Sequence, residues 1–267
     1  MASNPQQSGL PLFYNQLEAL STVTHADWKS RRIEGAQFLV NAHAIPLTVE
    51  EFPLAARHYP IVFSSGTDVV PLALMGLNEG INAFVDDDGQ LLEFAYIPAY
   101  VRRYPWMLAR LTPDAQELSL CFDPTAGAVG PFDEGDPVVV DGQPSPQITE
   151  VLKFCEDFEQ AGQRTGAFMK ELADMKLLME GEVAITQDGR EDQPNLYRGF
   201  QMVSEDALRN LRGDQLRKMM QSGMLPLIYA HLFSMQLMRD VFAKQVDRPQ
   251  RIAAADARRA ADNDAAA

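Results

Sequence analysis

Only two cysteines and four histidines occur in 267 residues, and both scarcities exclude chemistry. Cys121 and Cys155 are too far apart to suggest a disulfide scaffold or a cysteine-built zinc site. One bridge between them is feasible, but reduced core thiols are the expectation. No pair among His25, His43, His58 and His231 has the i, i+4 spacing that puts two imidazoles on one helix face. The chain has no Gly-rich phosphate loop, and Ser64-Ser65-Gly66 lacks the first glycine of a nucleophile elbow. Neither nucleotide binding nor serine hydrolysis therefore has a motif. Asp86-Asp87-Asp88-Gly89 is followed by Gln90 and Leu91, which breaks the alternating oxygens of a calcium loop. No metal and no cofactor is implied.

Long apolar runs are missing too. The longest, Met224 to Met238, is interrupted by Pro226, Tyr229, His231, Ser234 and Gln236 and is too short for a bilayer. The opening MASNPQQSGLPLFYNQ has neither a basic n-region nor an apolar core. The expectation is a cytoplasmic protein without a transmembrane span. Positive charge is scarce as well: 23 Lys and Arg face 37 Asp and Glu, a formal net charge of −14. Such a field repels phosphate backbones, so nucleic acid is not an expected partner, whereas a protein with a basic surface would suit it.

What the chain has is apolar content and proline. Hydrophobic residues make up 46 %, enough for a sizeable core. Ten prolines from Pro46 to Pro137 punctuate the stretch between Ile33 and Gln143, which excludes long helices there and favours short strands. Candidate strands are Gln37 to Val40, Ile61 to Phe63, Leu72 to Leu77, Ala83 to Val85, Leu91 to Phe94 and Leu118 to Phe122. Asp86 to Gln90 should turn a hairpin between Ala83–Val85 and Leu91–Phe94, with Gly89 supplying positive φ. Glu50 to His58 should form one or two helical turns after a Thr48 cap, with Pro53 in the first turn.

Beyond Pro146 the period becomes helical. Ser145 caps a helix whose stripe is Ile148, Val151, Leu152, Cys155 and Phe158, and a second stripe runs through Phe168, Leu172, Met175 and Met179. Val183–Gln187 and Tyr197–Val203 flank an Asp188-Gly189 turn, and read as another hairpin. Ser204 and Asp214 each open a short helix, the second stopping at Gly223, and the run from Leu225 forms the last and most buried one. The fold class is thus α+β: a mostly antiparallel N-terminal β portion packed with a C-terminal helical portion. We expect one domain over residues 10–245, with frayed tails at 1–9 and 246–267.

One basic cluster stands out. Arg102 and Arg103 lie beside Tyr100, Tyr104 and Trp106, and a guanidinium pair could clamp a carboxylate or phosphate by bidentate hydrogen bonds. The expectation, since acids outnumber bases, is the structural use, in which one arginine pairs with an internal acid while the other stacks on an aromatic ring. His43 and His58 could be gathered by folding beside Glu50 or Glu51, although architectural histidines are the expectation. His231, within the most apolar run, is expected to hydrogen-bond a carbonyl or carboxylate. Met219, Met220, Met224, Met235 and Met238 fit a core and also an adaptable groove.

Several segments together resemble the SapC family of bacterial proteins: LPLFYNQLEALS (10–21) followed by His25, IPLTVEEFPLAARHYPIVF (45–63), PLALMGLNEGINAFVDDDG (71–89), YIPAYVRRYPW (96–106) and SGMLPLIYAHLFSM (222–235). The resemblance runs from residue 10 to about residue 245. It implies an association with surface-layer loci, or with genes for TonB-dependent receptors, halogenase-like flavoproteins and cupin-like oxygenases. From it we expect an accessory or interaction protein with protein partners. The alternative is an enzyme or ligand-binding protein holding a small anion around Arg102 and Arg103.

Overall fold

The computed structural model describes residues 9–112, 114, 117–187 and 193–266, of which 261–266 are described by backbone alone. The fold is α+β, and its described strands pair antiparallel throughout. The chain divides into two compact units, each assembled from two stretches: Met1–Glu34 with Tyr100–Gln160, and Gly35–Ala99 with Ala161–Ala267.

The first unit holds two small three-stranded sheets. In one, Ser119–Phe122 lies between Glu18–Ala19 and Trp106–Ala109; in the other, Lys29–Ser30 lies between Val129–Gly130 and Asp136–Pro137. A hairpin of Val139–Val140 and Gln143–Pro144 follows, turned by Asp141 (φ 51°) and Gly142 (φ 73°). Two successive positive φ angles are what a two-residue turn needs to match strand twist. Apolar side chains of these strands pack on the first half of a long helix, Pro146–Asp174. Trp106, Leu108, Phe122, Val129, Val138 and Val139 meet Ile148 and Cys155 in one buried cluster. Ser145 caps that helix by accepting from the Ile148 N–H, and both cysteines are buried and unpaired.

The second unit is built on a five-stranded sheet in the order Leu178–Ile185, Asn195–Val203, Ile61–Ser64, Pro71–Leu74, Ala44–Pro46. Ile61, Val62 and Phe63 are all buried because the sheet is covered on both faces. On one face Val62, Leu72, Leu74 and Phe200 pack with Met238 and Phe242 of the helix Met238–Val246. On the other, Phe63 meets His231 of the helix Met224–Ser234, with ring centroids 4.7 Å apart. Buried Glu51 fastens the short helical turns that follow Thr48. Its carboxylate accepts from the Thr48 N–H (2.8 Å) and hydroxyl (3.0 Å), the Tyr96 hydroxyl (3.1 Å) and the Ala99 N–H (2.6 Å).

Several expectations change. Gln37–Leu39 is a 3-10 turn, closed by Leu39 N–H to Ala36 carbonyl, and not a strand. The Asp86–Gln90 turn forms, with Gly89 at φ 75°, but its arms meet only at the Val85–Leu91 bridge. The Phe84 N–H is taken by the Asn82 side chain, which removes a rung from any ladder there. The two helical stripes belong to one helix that ends at Asp174, so Met179 falls in a strand. Lys176 reverses the chain at φ 55° while Leu177 N–H bonds back to the Leu172 carbonyl, a C-terminal lock achieved without glycine. The expected Asp188-Gly189 turn lies outside the described residues. The run from Leu225 is not the last helix: Met238–Val246 and Arg248–Ala266 follow. The latter covers the segment expected to fray. It has little apolar surface, yet Arg248 and Arg251 donate to the Asn82 and Ala83 carbonyls, and Arg259 pairs with buried Asp86 at 2.6 Å. Burial alone would raise the Asp86 pKa, but the backbone N–H of Gln90 and the Arg259 guanidinium hold it below its usual value.

Two glycines offer a matched test. A β-carbon on Gly181, paired with Phe200 beside the bulge at Gly199, would lie 2.1 Å from the buried Phe200 ring, whereas one on helical Gly162 would meet nothing within 4 Å. Gly181→Ala should lower stability by about 1–3 kcal/mol through overpacking. Gly162→Ala should raise it by roughly 0.5–1 kcal/mol. Urea denaturation midpoints of the two variants check both signs.

Candidate functional site

The basic cluster sits on the short helix Ala99–Arg103 and the strand Trp106–Ala109 that follows it. Residues on a helix advance by about 100° each, so neighbouring arginines must point differently. Arg103 turns inward and is 6 % exposed. Its guanidinium lies over Phe158 (4.3 Å), Tyr100 (4.6 Å) and Tyr14 (5.8 Å) and reaches Glu159 at 3.6 Å. Its Nε has no hydrogen-bond partner among the described residues. Tyr100 donates to the Leu12 carbonyl at 3.0 Å and Tyr14 to the Trp106 carbonyl at 2.7 Å. Burial pushes both phenols above their ordinary pKa, with the Arg103 charge pulling partly the other way.

Arg102 is exposed, with its guanidinium 5.2 Å from the Phe154 ring centroid. It lines a cleft of about 420 Å³ within the first unit. Tyr104 and Trp106 line it with Arg102, so three of the five candidate residues share the cleft while Arg103 and Tyr100 lie in the neighbouring interior. The Tyr104 phenol is pushed up to about 12, first by burial and then by the charge of Asp123, so it remains a hydroxyl near neutrality.

Sequence reasoning missed two further arginines. Arg31 and Arg32 border the same cleft, and Ser30, Ile33, Pro105, Ile148 and Val151 complete much of its wall. Arg31 is held in place: its Nε donates to the Gly127 carbonyl at 3.0 Å, and its guanidinium lies 3.9 Å from the Phe132 ring centroid. Asp136, exposed, is the acidic member of the lining. The signal was present in Lys29-Ser30-Arg31-Arg32, a basic run in a chain poor in basic residues. Together these groups can hydrogen-bond an anion and cover an apolar body.

The histidines are dispersed. His25 accepts from the Ser21 N–H at Nδ1 (3.0 Å) and faces Glu18 at Nε2 (2.9 Å), which gives it a structural occupation at both nitrogens. His43 and His58 are both lowered in pKa by burial. Glu50 pairs with Arg164 at 2.5 Å and Glu51 is engaged as above, so neither joins the two imidazoles. Among the described residues no group of three or more His, Cys, Asp or Glu could hold a metal ion. His231, fully buried, accepts from the Val203 N–H at Nε2 (3.0 Å) and donates from Nδ1 to the Ile61 carbonyl (2.7 Å). Burial depresses its pKa to about 4, against a smaller opposing effect of the Ile61 carbonyl. Among the described residues no helix is long and apolar enough to cross a membrane.

A family model described as SapC matches residues 20–241. No curated protein and no solved structure matches the chain.

Two outcomes follow from this geometry. Arg103→Ala empties a site among three rings and should cost about 2–4 kcal/mol. Arg102→Ala, at the surface, should change stability by less than about 0.5 kcal/mol; thermal melts of the pair compare them. The His231 imidazole has a folded pKa below its unfolded value of 6.5. The unfolded chain therefore binds the extra proton first, so stability is full above pH 6.5 and falls as pH drops toward 4, by about 3 kcal/mol for this group. Denaturation midpoints between pH 7 and 4.5 should show that slope, and it should flatten in His231→Gln.

Proposed function

The chain belongs to the SapC family, and on that premise we propose that it is an accessory protein that acts by binding a small organic anion in the cleft of its first unit. The observation that carries this reading is the gathering of Arg31, Arg32 and Arg102 around one concavity in a chain of net charge −14. Surplus acid elsewhere repels anions in general, so a local reversal of sign gives the cleft a selective attraction. Arginine suits the task because its planar fork bonds carboxylate or phosphate oxygens in pairs. The aromatic rings beside Arg31 and Arg102 limit their wandering, which reduces the entropy lost when a ligand is gripped. Receptor-linked uptake or surface-layer biogenesis, the settings implied by the family resemblance, are the processes in which we place that binding.

Calorimetric titration of the full chain with inorganic phosphate and with benzoate tests the reading. At least one should bind, more weakly as salt rises. Arg102→Ala should weaken it by about 10- to 100-fold, the usual effect of deleting a charge-assisted hydrogen bond. Equal binding by that variant, or no heat from either anion, would refute the proposal.

A further inference from the structure

We infer that the cleft selects a monoanionic carboxylate with an apolar body, gripped at its head by the arginines and covered along its length by Pro105, Trp106, Ile148 and Val151. This deepens the anion-binding reading above and rests on it. Size comes first. A cleft of about 420 Å³ is far roomier than an inorganic oxyanion, which displaces only two or three waters at about 30 Å³ each. A bare ion would leave most of the space wet. A volume in this range, lined by Ile33, Pro105, Trp106, Ile148 and Val151 as well as by polar groups, has the size of an organic-ligand site.

Charge sets the next limit. Three arginines attract, but Asp136 stands in the same lining and disfavours a second negative charge on the ligand. One carboxylate satisfies a guanidinium fork and brings the least negative charge into a lining that holds that acid. The polar groups also have fixed roles. Arg31 has its Nε committed to the Gly127 carbonyl, so its terminal nitrogens are the part that can meet a ligand. The Tyr104 hydroxyl stays protonated near neutrality and can donate to an oxyanion. Pro105, Trp106 and Ile148 are buried, so this part of the wall is preformed and does not have to be ordered by the ligand.

A homologous series tests this on the full chain. Acetate, butyrate, hexanoate and octanoate are titrated calorimetrically alongside hexanol and inorganic phosphate. Affinity should rise about three- to fourfold per added methylene until the cleft is filled. Arg102→Ala should weaken every carboxylate by a similar factor, while Val151→Thr, nearly isosteric, should flatten the rise with chain length and leave acetate unchanged. Phosphate or acetate binding as tightly as octanoate overturns the apolar-body inference and leaves anion binding standing. Hexanol matching hexanoate, or no binding by any probe, overturns both.

Discussion

A guanidinium taken out of water organises the first unit. Arg103 keeps its charge among three aromatic rings with a single carboxylate at 3.6 Å. Such a group is costly to bury and is tolerated only because the ring faces are electron-rich and Glu159 supplies an opposite charge. Once it is fixed, the helical advance sends Arg102 outward, and the strand that starts at Trp106 carries its indole to the same cleft wall. Two adjacent residues of one type thus perform opposite tasks, one holding the fold and the other facing solvent.

The second unit relies on buried polar groups that bond to backbone. Glu51 accepts four hydrogen bonds, His231 joins the Ile61 carbonyl to the Val203 N–H, and Ser234 accepts from the Ile61 N–H at 2.8 Å. Each closes a donor or acceptor that would otherwise be stranded in the interior. These contacts bind strand ends and loops, where regular ladders stop, which suits a chain whose strands are short.

Much of this was legible in the residues, and the failures have physical reasons. Thr48, Pro53 and Ser145 announce helix starts by side-chain chemistry local to the chain, and the structure places helical turns after each. Short apolar runs such as Gln37–Val40 carry no period that separates strand from turn. The Asp141-Gly142 hairpin went unread although its turn pair is the stronger signal, while Asp86–Gly89, which was read, lost its ladder to the Asn82 amide. Ionic docking of the C-terminal helix leaves no hydrophobic pattern to find. At the cleft, the Tyr100–Trp106 cluster was visible, but Arg31 and Arg32 lie some seventy positions earlier, and only the fold places them beside Arg102. Which arginine would turn inward is decided by packing partners remote in sequence.

The bulge at Gly199 (φ 92°), opposite Gly181 and Glu182, has a further consequence. The strand that carries the extra residue, Asn195–Val203, is the inner neighbour of the border strand Leu178–Ile185 in the five-stranded sheet, and the opposite border is the three-residue strand ending in Pro46. A glutamate-bearing margin paired to a bulged neighbour, and a margin cut short by proline, both offer poor templates for a foreign strand. The sheet is thereby guarded against edge-to-edge polymerisation, and the glycine that permits the bulge contributes to keeping the folded chains apart.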